Sequence, residues 1–120
     1  IGGMPEEYFL YYEELDWCTR ITAEGYELWY DPAFEIWHKD GSSSGKGSPL
    51  QCYYLSRNRL LYAQRNLSGW RRCLALLYQL TIVCPKNIVT AWSKGQTEAA
   101  KAHREGTKAF FKLRNKDKQL

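Results

Sequence analysis

The sequence predicts an α/β fold, with short strands in residues 1–48 and a helical segment over residues 49–120. Three observations predict it. Between Tyr26 and His38 two short runs carry aromatic and β-preferring residues, and Phe34, Ile36 and His38 share one face at a period of two. The stretch Lys39 to Gly47 is too rich in Gly and Ser to be anything but a loop. From Ser48 onward, capping residues and helical spacing take over. A chain of 120 residues suits one small domain, and its 44% hydrophobic and 15% aromatic content is that of a folded protein rather than a disordered tail.

Taken in order, Gly2-Gly3-Met4-Pro5 reads as a turn leading into the aromatic run Tyr8 to Tyr12. A helix fits Glu13 to about Glu24, with Gly25 placed to stop it in the left-handed conformation. Its acids Glu13, Glu14 and Asp16 fall in the first turn, where the positive end of the helix dipole stabilises them, and Asp16 can pair with Arg20 one turn on. Tyr26 to Tyr30 and Ala33 to His38 read as strands separated by a turn at Asp31-Pro32. Ser48 as N-cap and Pro49 at the first helical position open a helix that runs to about Asn66. Leu67-Ser68-Gly69 breaks it. An apolar helix through Cys73–Cys84 follows and stops at Pro85, and further helices fit Lys86 to Lys94 and Gln96 to Arg114. The chain opens on Ile1-Gly2-Gly3, with neither a basic n-region nor an apolar h-region, a start that fits a piece of a longer polypeptide.

The net charge of +4 is unevenly spread. Residues 1–40 hold ten acids against Arg20 and Lys39, for −8, and the remainder holds fifteen bases against three acids, for +12. An acidic lobe can gather a divalent cation, and a basic one suits phosphates or an anionic membrane surface; the two also neutralise each other if they pack together. The four cysteines, at 18, 52, 73 and 84, form no C-x-x-C pair and sit at no zinc-finger spacing from His38 or His103. They read as buried free thiols of a reducing cytoplasm.

The densest chemical signal is Tyr11-Tyr12-Glu13-Glu14-Leu15-Asp16-Trp17-Cys18-Thr19-Arg20. Three carboxylates within four residues repel one another unless something uses their charge. General-base catalysis on an acceptor hydroxyl is one such use, and plain helix N-terminal charge is the other. His38 closes a strand beside the loop, where a histidine is either an ordinary half-buried polar group or a neutral imidazole ligand to a cation.

The ordered series Gly2-Gly3 … Glu6-Glu7-Tyr8-Phe9-Leu10-Tyr11-Tyr12-Glu13-Glu14-Leu15-Asp16 … Arg20 resembles the G-G-x-x-E-x-F-F-x-Y-x-E-D-x-D-x-x-x-R signature of bacterial family 2 glycosyltransferases, the rhamnosyltransferases and galactofuranosyltransferases of surface polysaccharide synthesis. Gly25-Tyr26, Tyr30-x-Pro32, His38 before its Ser/Gly loop and Arg57-Asn58-Arg59 continue the match. The resemblance implies the C-terminal part of a GT-A fold, with residues 1–48 on the acceptor and base side and residues 49–120 as a helical extension. It implies an inverting transfer from a nucleotide-sugar donor to a glycan or lipid-linked acceptor. Glu14 falls on the catalytic base, where the family usually has Asp, with Glu13 and Asp16 as the neighbouring acids. Gly2, Gly3, Tyr12, Arg20 and Arg57 fall on substrate-binding positions. His38 falls on the ligand that completes a Mg²⁺ or Mn²⁺ shell begun by a D-x-D motif, and this chain contains no D-x-D. The nucleotide-binding half is expected to lie outside the chain, which by itself should be inactive.

Trp70, Arg71 and Arg72 precede the apolar twelve residues 73–84, and Lys86 and Trp92 follow. A bilayer span needs about twenty apolar residues, so the sequence predicts a segment that does not cross. It either lies in an anionic membrane interface, on the inner face of the cell membrane, or packs against the catalytic domain or a second copy of this chain. Nothing in the sequence calls for nucleic acid. The competing reading of the whole is a non-catalytic module that docks to a membrane or a partner.

Overall fold

The computed structural model describes residues 1–37 and 45–116. In order they form a 3-10 turn over Glu6–Tyr8, then α1 (Glu13–Ala23), α2 (Pro49–Asn66), α3 (Gly69–Tyr78), a π-helical turn (Gln79–Val83), α4 (Cys84–Ser93) and α5 (Thr97–Lys116). Among the described residues there is no strand, so the fold is helical rather than α/β with short strands. The two predicted strands are present only as irregular chain over residues 26–37. The turn between them does form: the Ala33 amide donates to Asp31 Oδ1 (2.9 Å) and the Phe34 amide to the Asp31 carbonyl. Aromatic and β-branched residues favour a pleated, half-buried surface, and a lone two-stranded hairpin is marginal in water. Here the side chains of residues 26–37 are exposed, with no third strand or helix beneath them.

The helix ends follow their local chemistry. Gly25 takes φ +89°, and the amides of Gly25 and Tyr26 close α1 on the carbonyls of Thr22 and Ile21. Ser48 Oγ accepts from the Gln51 amide (3.2 Å), capping α2 one residue ahead of Pro49. Pro85 does not stop the apolar helix as expected. The preceding turn widens to π geometry, which gives the proline ring room where a tight α turn would drive it into the carbonyl four residues back. One continuous helix therefore runs from Gly69 to Ser93, 25 residues, long and apolar enough by length and composition to cross a membrane. The twelve-residue estimate was too short for that reason.

The core has two parts. Tyr8, Leu60, Leu61, Cys84 and Phe110 form one, with Leu76 and Leu80 of the long helix packed against it. Cys52, Ala91, Ala99, Ala100 and Ala102 form the other, beside Ile88 and Tyr53. In the second, small side chains bring α2 and α5 close: a Cβ on Gly106 would fall on the Tyr53 carbonyl oxygen. All four thiols are free; Cys52 and Cys84 are buried, Cys18 is half-buried and Cys73 is exposed.

Candidate functional site at the start of α1

The three acids of α1 occupy different environments. Asp16 has no exposed surface, and both its oxygens are engaged. Oδ2 accepts from the Tyr8 hydroxyl (2.8 Å), Asn66 Nδ2 (2.8 Å) and Arg65 Nε (3.2 Å), and Oδ1 accepts from Arg20 Nε (3.0 Å). Burial pushes its carboxyl up, but the bonds from Asn66 and Tyr8, the Arg65 charge and the bond from Arg20 outweigh that and hold it below the usual carboxylate range. The Tyr8 hydroxyl is raised far above the ordinary tyrosine value by burial and by the Asp16 carboxylate it serves. Glu14, by contrast, is exposed, and Glu13 Oε2 is shielded from solvent with no hydrogen-bond partner among the described residues.

What precedes these acids is an irregular loop held by α2. Phe9, Tyr11 and Tyr12 all have positive φ, at 60°, 66° and 76°, which costs non-glycine residues energy and persists only where the surroundings enforce it. The enforcing side chains are Arg57 and Asn58. Arg57 Nη2 donates to the carbonyls of Glu7 (2.6 Å) and Tyr8 (2.8 Å), and its Nε bonds Asn58 Oδ1 (2.8 Å). Asn58 Nδ2 lies within 2.5–2.9 Å of the carbonyls of Tyr8, Leu10 and Tyr11. Two N–H groups thus serve three acceptors, one of them shared. Arg59 Nε adds a bond to the Tyr12 hydroxyl (3.2 Å), and the Tyr12 ring packs on Tyr62.

The Gly2-Gly3 turn is pinned from the other side. Arg20 Nη1 and Nη2 donate to the carbonyls of Ile1 (2.6 Å) and Gly3 (2.8 Å), and Trp17 Nε1 donates to that of Gly2 (3.1 Å). Gly2 sits at φ 74°.

Of the sequence-predicted residues, Arg20 joins Asp16 and Gly3, Trp17 holds Gly2, and Arg57 holds the loop that leads through Tyr12 to Glu13 and Glu14 at the first turn of α1. The geometry divides them by task. Arg20, Arg57 and Asp16 have their polar groups turned onto the protein's own backbone and side chains, and Glu13 and Glu14 do not. Sequence reasoning missed Asn58, Arg65, Asn66 and Tyr8. Asn58 had a signal, since it is the centre of the R-N-R segment and a polar residue in register with buried Leu61. Arg65 and Asn66, at the end of α2, had none.

His38 lies outside the described residues. Among the described residues no three His, Cys, Asp or Glu side chains gather where they could hold a metal ion.

Over 72 residues, 60% of this chain, the sequence is 28% identical to the N-acetylglucosaminyl-diphospho-decaprenol L-rhamnosyltransferase of Mycobacterium tuberculosis strain CDC 1551 / Oshkosh. The protein of the same name from strain ATCC 25618 / H37Rv matches to the same extent. The match covers 24% of the length of each relative. No family model matches the chain, and no solved structure matches it. The relationship is a distant one to a glycosyltransferase.

Proposed function

We propose that the start of α1 is the acceptor side of a glycosyltransferase site. In this reading a sugar passes from a nucleotide-sugar donor to a hydroxyl of a glycan or lipid-linked acceptor in a single displacement, with inversion. The acceptor oxygen bonds to the anomeric carbon as the bond from that carbon to the nucleoside diphosphate breaks, and Glu14 takes the acceptor proton. The observation that supports it most is the division among the acids: Asp16 is fully engaged in holding the loop, while Glu14 faces solvent and Glu13 keeps an oxygen without a partner among the described residues. The helix dipole accounts for acids in this turn, and Glu13 and Glu14 are the two not spent on holding the loop. The distant relatives add a substrate class to try first, L-rhamnose transferred to an N-acetylglucosaminyl-diphospho-polyprenol.

The test is transfer of labelled sugar by the protein that carries this chain. Glu14→Gln keeps the shape but cannot take the proton, and should lower turnover by about a hundredfold to ten-thousandfold while leaving the donor KM nearly unchanged. If Glu14→Gln retains wild-type turnover and Glu13→Gln loses it, the base is Glu13. If both variants turn over normally, the reading fails.

A further inference from the structure

We propose that the outer face of the Gly69–Ser93 helix docks in the plane of an anionic lipid bilayer. This does not depend on the chemistry assigned to α1. The inner face of the helix, with Leu76, Leu80, Cys84, Ile88 and Ala91, packs on the two core clusters. The π turn over Gln79–Val83 falls within this series, and the residues on both sides of it face the core. The outer face carries Trp70, Leu74, Leu77, Ile82, Val89 and Trp92, all exposed, with Trp70 and Trp92 at 71% and 70%. At about 1.5 Å per residue this stripe, from Trp70 to Trp92, is some 33 Å long, far more than scattered surface apolar residues would give.

Three observations choose the occupant. First, charge: Gly69–Ser93 contains Arg71, Arg72 and Lys86 and no acid. The Arg71 guanidinium sits over the Trp70 ring at 5.8 Å, and at the other end Trp92 shares a shallow cleft with Lys101 and Arg104 of α5. Each tryptophan is thus paired with cations, the arrangement that suits the boundary between acyl chains and acidic headgroups. Second, a crossing orientation is disfavoured although the helix is long enough. Its inner face is joined to α2 and α5, so Arg59, Arg65, Arg104 and Lys108 would be carried towards hydrocarbon. Third, a second copy docked face to face would bring two acid-free, cationic helices together, and like charges oppose that pairing.

The experiment uses the 120-residue chain and vesicles of phosphatidylcholine alone or with phosphatidylglycerol added at about a third of the lipid, read by co-sedimentation and tryptophan emission. The expected result is binding at least tenfold tighter to the anionic vesicles, a blue shift, and release by high salt. Leu74→Glu combined with Ile82→Glu should abolish binding with the helical circular dichroism intact, since both side chains point away from the core. Arg71→Glu combined with Lys86→Glu should weaken binding at least tenfold; Arg72 is left alone because its Nε bonds the Leu67 carbonyl (2.6 Å) and holds the α2–α3 link. No binding at low salt, or equal binding to neutral and anionic vesicles, overturns the proposal. So does retention through a high-salt wash, which would mean insertion, or a dimer lost in the Leu74→Glu, Ile82→Glu variant, which would mean the face meets a second copy.

Discussion

At Asp16, burial and hydrogen bonding pull in opposite directions, and the bonds win. A carboxylate without solvent contact is costly, yet four donors from three elements face it, two of them charged. Its folded-state value is lowered, so the unfolded chain binds the proton first as pH falls. The stabilisation is complete above the unfolded value, about pH 4, and is lost as pH falls through the lower folded one. Urea unfolding between about pH 7 and pH 2 measures it. The wild type should weaken below about pH 4, and Asp16→Asn should be less stable at neutral pH by about 3 kcal/mol and much flatter in acid. The arginines stay half-exposed and can rehydrate, which keeps the loss at the low end of the range for breaking a buried pair. Turnover alone would not separate this role from that of a base; the pH dependence of stability does.

Among the elements, those whose ends rest on local chemistry were legible in the sequence. Ser48-Pro49 opened α2 and Gly25 closed α1 because a cap and a left-handed stop need only their immediate neighbours. The strands were not, because Tyr26 to Tyr30 has the composition of a strand but no neighbour to pair with, and pairing is a property of the whole chain. Pro85 misled for the opposite reason: packing of Leu80 and Cys84 on one core outweighs a local break, and a π turn reconciles the two. The pairing of Asp16 with Arg20 one turn on was legible in their spacing, whereas the engagement of Asp16 by Arg65 and Asn66, some 50 residues away, was not. Gly106 shows how tertiary contact overrides propensity. Alanine is the better helix former by about 1 kcal/mol, but a methyl here meets the backbone of α2. Gly106→Ala should therefore destabilise the chain by about 1–3 kcal/mol, measured by thermal or urea unfolding.

Over the whole molecule, the radius of gyration is 16.0 Å, against about 13.5 Å for a compact chain of this length. The irregular stretch over residues 26–37 is also the part with the most exposed aromatic side chains, with Trp37 at 93%. The helices α2 to α5 are joined by links of two or three residues or by none, whereas α1 reaches α2 through the 25 residues 24–48. What holds α1 in place is therefore not its covalent connection but the bonds of Asp16 to Arg65 and Asn66, and of Arg57 and Asn58 to the loop ahead of it.

That arrangement makes the chain separable into two complementing pieces. Chymotrypsin should cut first within residues 29–37, where Trp29, Tyr30, Phe34 and Trp37 stand clear of any helix. The N-terminal piece, α1 with its pinned loops, should nonetheless co-elute with the helical piece on gel filtration at neutral pH. In acid, once the pH has fallen through the lowered range in which the folded Asp16 carboxylate takes up its proton, the two should part. Fragments that separate at neutral pH would mean that the covalent link, and not the buried carboxylate, keeps the acidic end of α1 on its support.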